Sequence, residues 1–565
     1  MIRATFSGFS TALSALQANQ KRLDIVGQNL SNMNTPGYSR QQLETSSLNY
    51  RSPISQYTNG SEIAVGFGVS MDRVSQIRDP YLDAQYRAQI DNSGYYDAVQ
   101  SSLDTLSKAL DESNMDGIRQ AMANINSNLI EMQEQSKVND PVYESQLRSS
   151  MQSLTNLLND AARQIDAAEK AEFGKLDGTG TSEQGSVQRV NELLSQIGNL
   201  NHQIKQNQIF GQPSLELMDE RNQMLDALAS FIPIEVTYFK DAGHDGKMED
   251  TNPDSPTFGE MIDAPKELYE YDANNNIIGR KEWPDDLKVE LLYKDKDGKP
   301  QRLTLVNGTE GGRSNNYGSL SVNGTSDTPA NVSVIFTPAA SSGEAAQQAS
   351  ASGIQLSGGA IQGSLDMLGK AGTGEPVNDT TSTIDDVRGY QYYRRRLDDL
   401  AKHFADTMNT LNEKNGKAGD VLLANKENPD EEITALNIGI SKGWTSGDVH
   451  ISTGGENSTD TILAMMNAMK ESHPELGNKS FADYINNTAT ILANDSKNNA
   501  NSLKTSVTVL NSIQNSRDSV SGVSLDEEAS NMMSYISAYN AASRVMTALD
   551  EALNTLINST GLVGR

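Results

Sequence analysis

The 565-residue chain contains no cysteine. That removes disulfide frameworks, thiol nucleophiles, zinc–thiolate centres and iron–sulfur clusters from consideration together. Positive charge is scarce as well: 46 Lys and Arg stand against 74 Asp and Glu, a formal net charge of −28. A field of that sign repels phosphate backbones and anionic surfaces, so no nucleic-acid partner is expected. Long apolar runs are missing. No stretch approaches the roughly 18 apolar residues that a membrane span requires, so no membrane insertion is expected. From Met1 to Leu16 apolar residues alternate with Ser and Thr, where a cleaved secretory signal needs a continuous apolar block. Aromatic residues make up 6% of the chain and hydrophobic residues 36%, with a mean hydropathy of −0.54, which predicts thin cores and much wet surface. At roughly 150 residues per domain, the length corresponds to about three or four domains.

What is present begins with an amphipathic stripe at each end. Ile2, Phe6, Phe9, Leu13, Leu16, Leu23 and Leu30 alternate four- and three-residue steps, interrupted only by Gln20 and Gly27. That is the seam of a helix that faces another helix. Its polar side carries only Arg3, Lys21 and Arg22, too few cations for a membrane-surface helix. Near the other end Leu525, Ala529, Met532, Ile536, Tyr539, Met546, Leu549, Leu553 and Leu556 fall at helical spacing. Ser524 and Glu527 fit a capping box at the start of that helix. Two terminal seams predict one coiled-coil bundle.

Between them, Leu103 to Ile209 reads as helix. One stripe runs through Leu147, Met151, Leu154, Leu158, Ala161, Ile165 and Ala168, and a second through Val190, Leu194, Ile197 and Ile204. Glycines from Gly174 to Gly185 punctuate the gap, which predicts an antiparallel helical hairpin. After Pro233 the texture becomes β. Leu287 to Leu291 and Arg302 to Leu305 alternate about Asp297-Gly298, predicting a hairpin with a type I′ turn and Leu287, Val289 and Leu291 on one face. A further pair is predicted from Leu320–Val322 to Val332–Ile335. Helices resume near Asp385 and run through Asn412, and a mixed region from Val421 to Ser452 precedes the final helices. The fold class is therefore mainly α with an inserted β-rich domain, elongated and multidomain. Residues 1–40 with 523–565 form a terminal coiled-coil domain, 41–235 with 354–522 a helical rod with some β structure, and 236–353 a β-rich outer insert.

A search for chemistry finds little. His202, His244, His403, His450 and His473 are scattered without metal-ligand spacing. Gly363 to Lys370 lacks the spacing and the following Ser or Thr of a phosphate loop. Asp241 to Gly246 alternates oxygen ligands, but Asn252 stands where a calcium loop needs its bidentate acid, so a surface turn is the reading. Asp385 with Asp386, and Asp398 with Asp399, read as solvated faces, since neighbours on a helix point apart. Arg394-Arg395-Arg396 reads as helix-surface ion pairing. No catalytic, cofactor-binding or metal-ligating set emerges, and no cofactor is expected.

The segment Asn29-Leu30-Ser31-Asn32-Met33-Asn34-Thr35-Pro36-Gly37-Tyr38-Ser39-Arg40 is a helix stop followed by a turn. Pro36 biases Thr35 out of the helix, and Pro-Gly suits the centre of a type II turn. With Ser521 to Ala529 and Tyr535 to Val545 near the other end, it resembles the signature of bacterial flagellar axial proteins, the family of rod, hook and hook-associated subunits. Leu217 to Asp226, and Gly363-Ser364-Leu365-Asp366 leading into Leu397 to Ala401, look like internal landmarks of its hook-associated members.

The resemblance implies a structural subunit that self-assembles on the distal end of the hook as the first hook–filament junction layer, in contact with hook protein below and a second junction protein above. It implies self-assembly through Phe6, Phe9, Leu13, Leu16, Leu23, Leu30, Met532, Ile536, Tyr539, Met546, Leu549, Leu553 and Leu556, with Asn34, Thr35, Pro36, Gly37 and Tyr38 as the family turn. It further implies passage through the flagellar type III apparatus without a cleaved signal, a cytoplasmic export chaperone on the C-terminal helix, an extracellular location at the junction, and an insert facing outward. A hook or rod subunit, or an extracellular wall hydrolase with a catalytic insert, are the alternatives.

Overall fold

Helix-forming and strand-forming segments fall largely where the apolar periodicity changes. The computed structural model describes residues 7–47, 68–110, 112–138, 140–179, 184–209, 212–240, 247–249, 261–263, 269–271, 277–280, 285–295, 297–308, 317–339, 355–370, 387–429, 431–452 and 458–559. The surface turn read at Asp241 to Gly246, the Asp385-Asp386 pair and Phe6 lie outside them.

The first helix, α1 (Ser7–Asn32), leads into an antiparallel pair, β1 (Gln41–Ser47) and β2 (Val69–Gln76), with a bulge at Glu44/Thr45. The helical body follows: α2 (Pro80–Ala109), α3 (Glu112–Glu131), α4 (Pro141–Asp177), α5 (Ser186–Ile209) and α6 (Leu215–Phe231). Asp79 and Asp140 cap α2 and α4 by accepting from the backbone N–H of Tyr81 and Val142, each with Pro in the first turn. Every residue of the two predicted stripes within α4 and α5 is buried. Their partners differ from the expected hairpin, however. α4 and α5 meet, but α4 packs more extensively on α3 and α5 on α6. The reason is that each helix carries apolar residues over more than one stripe, so several neighbours compete for it.

The β segment comprises β3 (Ile234–Lys240), β4 (Lys247–Glu249), β5 (Met261–Asp263), β6 (Tyr269–Tyr271), β7 (Ile277–Arg280), β8 (Asp285–Lys294), β9 (Pro300–Asn307), β10 (Ser319–Asn323), β11 (Ser333–Thr337) and β12 (Gln355–Leu356). β8 is central, pairing antiparallel with β3, β9 and β12; β4–β5, β6–β7 and β10–β11 are separate pairs. Leu287, Val289 and Leu291 share the buried face as predicted. The turn differs. Gly298 has φ +75°, Asp297 does not share a positive φ, and the Gly298 N–H donates to the Asp295 carbonyl at 2.9 Å. That is a three-residue connection with glycine in the left-handed position rather than a two-residue type I′ turn. Asp295 supports it by accepting from the backbone of Lys299, the Gln301 amide and the backbone of Asp297, and these bonds hold its carboxyl below the usual range.

The sheet is fastened to the helices by buried polar groups. Asp286, fully buried, accepts from Asn201 at 2.6 Å and from Lys205 at 2.7 Å, while the Asn191 side chain brackets the backbone of Leu320. Beyond it come α7 (Gly359–Gly369), α8 (Tyr390–Asn415), β13 (Leu423–Asn425), β14 (Ile438–Ile440), α9 (Lys442–Ser446), α10 (Asp460–Ala468), α11 (Phe481–Ser521) and α12 (Leu525–Ser559). One contiguous core runs from Val99 to Leu492 and includes the sheet. Neither α1 nor α12 contributes to it.

The arginine run of α8 does not form the expected surface ion pairs along its own helix. Arg394 pairs with Asp166 of α4 at 2.9 Å, Arg395 is exposed, and Arg396 is buried over the Tyr484 ring at 3.9 Å. Consecutive residues on a helix diverge by about 100°, so three neighbours meet three environments. Asp398 is likewise no solvated acid: it accepts from the Ala435 N–H at 2.8 Å, and burial raises its pKa.

Candidate assembly site

α1 and α12 lie antiparallel. A Cβ on Gly8 would sit 3.2 Å from Leu549, Arg22 stacks over the Tyr535 ring at 5.6 Å, and the Asn29 amide bonds Glu528. The face of α1 that the chain itself covers is built from Ala12, Ala18, Ile25, Val26 and Asn29. These fall to one side of the predicted leucine seam. Small residues allow close approach by α12 and the β1–β2 pair, and the bulkier seam stays at the flank: Phe9, Leu16, Leu23 and Leu30 are half-buried and Leu13 is 49% exposed. On α12, Met532, Met546, Leu549 and Leu553 are half-buried, whereas Ile536, Tyr539 and Leu556 are exposed, with Met533, Val545 and Ile557 beside them. The two helices thus satisfy part of each other's apolar surface and leave exposed apolar side chains along α12. Monomeric proteins rarely leave so extended an apolar surface uncovered.

At the inner end of the pair the family turn closes. The Tyr38 N–H donates to the Thr35 carbonyl at 3.2 Å and Gly37 has φ +74°, the type II turn that Pro-Gly predicts. Asn34 to Gly37 are exposed. Tyr38 is half-buried, donating its hydroxyl to Asn29 at 2.9 Å, and burial pushes that phenol up. Asn29 also exchanges two 3.0 Å hydrogen bonds with the Gln41 backbone, so the last turn of α1 holds the start of β1. The Gln223 amide donates to the Pro36 carbonyl at 2.6 Å. A side chain at residue 37 would collide with it.

Beneath the turn is an ion-pair network that sequence reading did not identify. Asp219 accepts from Ser39 through backbone and hydroxyl, at 3.1 and 2.7 Å, and pairs with Arg78 at 3.4 Å. Arg78 also pairs with Asp83; Arg517 bridges Asp83 and Asp226, each at 2.9 Å; Arg87 pairs with Asp226. Arg40 reaches Glu527 at 2.6 Å. This last contact leaves half of the predicted capping box: the Glu527 N–H donates to the Ser524 hydroxyl at 3.5 Å, while the Glu527 carboxylate turns to Arg40 instead of back to the cap. Burial raises the pKa of Asp219 against the hydrogen bonds and Arg78 that lower it, and burial likewise raises that of Glu528. Three stretches singled out in the sequence, Asn29–Arg40, Leu217–Asp226 and Ser521–Ala529, therefore meet at one place. Arg78, Asp83, Arg87 and Arg517 complete it. For Asp83, Arg87 and Arg517 the sequence signal is a charge on an otherwise inward helix face; Arg78 lies in the connection between β2 and α2.

A cleft of about 670 Å³ opens between the turn and the Ser521–Glu527 connection, with Arg78 and Arg517 in its wall. Among the described residues no group of three His, Asp or Glu is placed to hold a metal, and no helix is long and apolar enough to cross a membrane.

Comparison with known proteins places three segments. Residues 103–248 match the flagellar hook-associated protein FlgK helical domain, 9–38 the flagella basal body rod protein family, and 514–559 the C-terminal family of flagellar basal body rod FlgEFG proteins. The last two correspond to the terminal pair. The chain is 26% identical over 576 residues to flagellar hook-associated protein 1 of Bacillus subtilis, covering 100% of both. It is 27% identical over 238 residues to the protein of that name from Salmonella typhimurium, covering 40% of this chain and 38% of the other. A structure of the flagellar hook junction protein FlgK from Burkholderia pseudomallei aligns with a TM-score of 0.37 and 17% identity, over 60% of this chain and 46% of that one.

Proposed function

The chain belongs to the family of flagellar hook-associated protein 1, and from that premise we propose that it is the structural subunit that assembles on the distal end of the hook as the first hook–filament junction layer. The observation that carries this reading is the apolar surface of α12 that stays exposed alongside the face covered by α1. Neighbouring copies cover that surface and the flanking seam of α1 in the assembled layer. The burial gained there offsets the cost of ordering a helix pair that has no share in the main core.

The same reading gives the subunit hook protein below and a second junction protein above. It places an export chaperone on α12 in the cytoplasm, where the exposed apolar surface would otherwise invite premature association, and it carries the chain out through the flagellar type III apparatus without a cleaved signal. The β insert, fastened to α5 through Asp286 and the Leu320 backbone, faces outward. The role is structural and uses no catalytic group.

The test is capping of isolated hooks. Ile536 and Val545 are 44% and 52% exposed, so Ile536→Glu and Val545→Glu leave the monomer fold unchanged and are expected to abolish cap formation seen by negative-stain microscopy. Caps formed as well by both variants as by the parent chain would refute the role of that surface. Unlimited tubes from the parent chain would indicate a hook-like subunit instead.

A further inference from the structure

α2 and α11 pack along one another through polar groups: Gln89 donates to Ser506, Gln100 to Ser496, and Asn499 to the Tyr96 carbonyl. Where α7 and the ends of β8 and β12 join them, a cleft of about 800 Å³ opens, well removed in sequence from the family turn. That volume lies within the range that holds a small ligand.

The charges in its wall are largely matched already. Asp366 accepts from the Tyr95 hydroxyl at 2.8 Å, the Gln362 amide at 2.7 Å and Lys370 at 3.0 Å; Asp495 accepts from Arg388 at 2.6 Å and the Tyr393 hydroxyl at 2.7 Å. Apart from exposed Lys294 on β8, what the wall still presents to solvent is neutral. Asn498 and Asn501 on α11 and Gln355 on β12 are exposed. The half-buried rings of Tyr95 and Tyr96 meet edge to face at 5.5 Å beside them, above buried Val99, Leu103 and Leu356.

Amides offer a donor and an acceptor in one plane, which suits neighbouring hydroxyls, and an aromatic wall suits a face of C–H groups. A pyranose ring carries both. We propose that this cleft binds a neutral pyranose oligosaccharide. The net charge of −28 turns acidic polymers away from the site, and the pairing of Asp366 and Asp495 leaves the amides, rather than a free carboxylate, to select the ligand. The site lies in the main core region and is independent of the terminal pair, so it does not stand or fall with assembly on the hook.

Isothermal titration of the full-length protein with maltotetraose, cellotetraose and tetra-N-acetylchitotetraose tests this. At least one is expected to bind saturably, with an affinity that changes little between low salt and 0.5 M NaCl, about the level at which surface ion pairing is screened out. The double variant Asn498→Ala/Asn501→Ala, altered only at exposed positions and verified by an unchanged thermal melt, is expected to weaken that binding by about tenfold or more, as loss of one or two hydrogen bonds implies. No saturable heat from any of the three sugars overturns the proposal. So does equal binding by the double variant, or binding confined to oligogalacturonate or to an extended neutral peptide used as controls.

Discussion

At the scale of single residues, the least compensated group is Asp91 on α2. It is 7% exposed, its Oδ1 has no hydrogen-bond partner, and its other oxygen crowds Gly358 so closely that a Cβ there would lie 2.3 Å away. Burial alone pushes its carboxyl up to about 7. The folded state therefore holds a proton that the unfolded chain, with a carboxyl near 3.9, releases earlier. Stability contributed by this site is complete below the unfolded value, declines as pH rises, and levels off above pH 7, a loss of at most about 4 kcal/mol. Asp91→Asn is expected to flatten the dependence of the urea midpoint on pH between about 4 and 7, raising the midpoint at pH 8 while leaving it nearly unchanged at pH 4. An unaltered slope would rule the assignment out.

At the scale of elements, Arg517 joins three helices. From the end of α11 it bridges Asp83 of α2 and Asp226 of α6, and it stacks on the Tyr86 ring at 4.4 Å. The bridge lies immediately before Gly522 and the start of α12, so it fixes the direction from which the terminal pair leaves the body. Its partners keep Arg78 and Arg87 when it is removed. The cost of Arg517→Gln is therefore expected to be about 2–4 kcal/mol, below the full penalty of an orphaned buried charge. Paired with Asp226→Asn, it should show a coupling energy of about 1–3 kcal/mol in a double-mutant cycle by urea unfolding. Additive effects would mean that the bridge is geometric coincidence. Close backbone approach at the same junction depends on Gly94, where a Cβ would lie 2.1 Å from the Ser230 carbonyl. A residue with a side chain there would force α2 and α6 apart.

At the scale of the whole molecule, the division is between a body with one contiguous core, Val99 to Leu492, and a terminal pair outside it. Backbone hydrogen bonds in elements with little buried apolar contact open at low free energy. Amide exchange by mass spectrometry is therefore expected to be fast in α1 and α12 of the monomer, slow in α4 and α5, and markedly slowed in the terminal pair once caps form on hooks. Full protection of both terminal helices in the free monomer would contradict the proposal that neighbours complete their burial. Continuity of the core also explains how a chain with 36% hydrophobic residues remains well packed: its apolar residues are concentrated in one body instead of being divided among separate thin cores.

Local pattern alone determined the stripes of α4 and α5, the inward face of β8, the type II turn at Pro36-Gly37 and the helical nature of both ends, because each depends on residues within a turn or two of one another. The family signature was legible for the same reason. Which face of α1 is buried, the partners of α4 and α5, and the fates of Arg394, Arg395 and Arg396 depended on what packs alongside. The junction under the family turn was beyond reach, since Ser39 meets Asp219 and Arg517 meets Asp83 across large separations in sequence. Hydrophobic periodicity states that a face must be covered; only the folded chain decides which other surface covers it, and that choice here leaves α12 partly open.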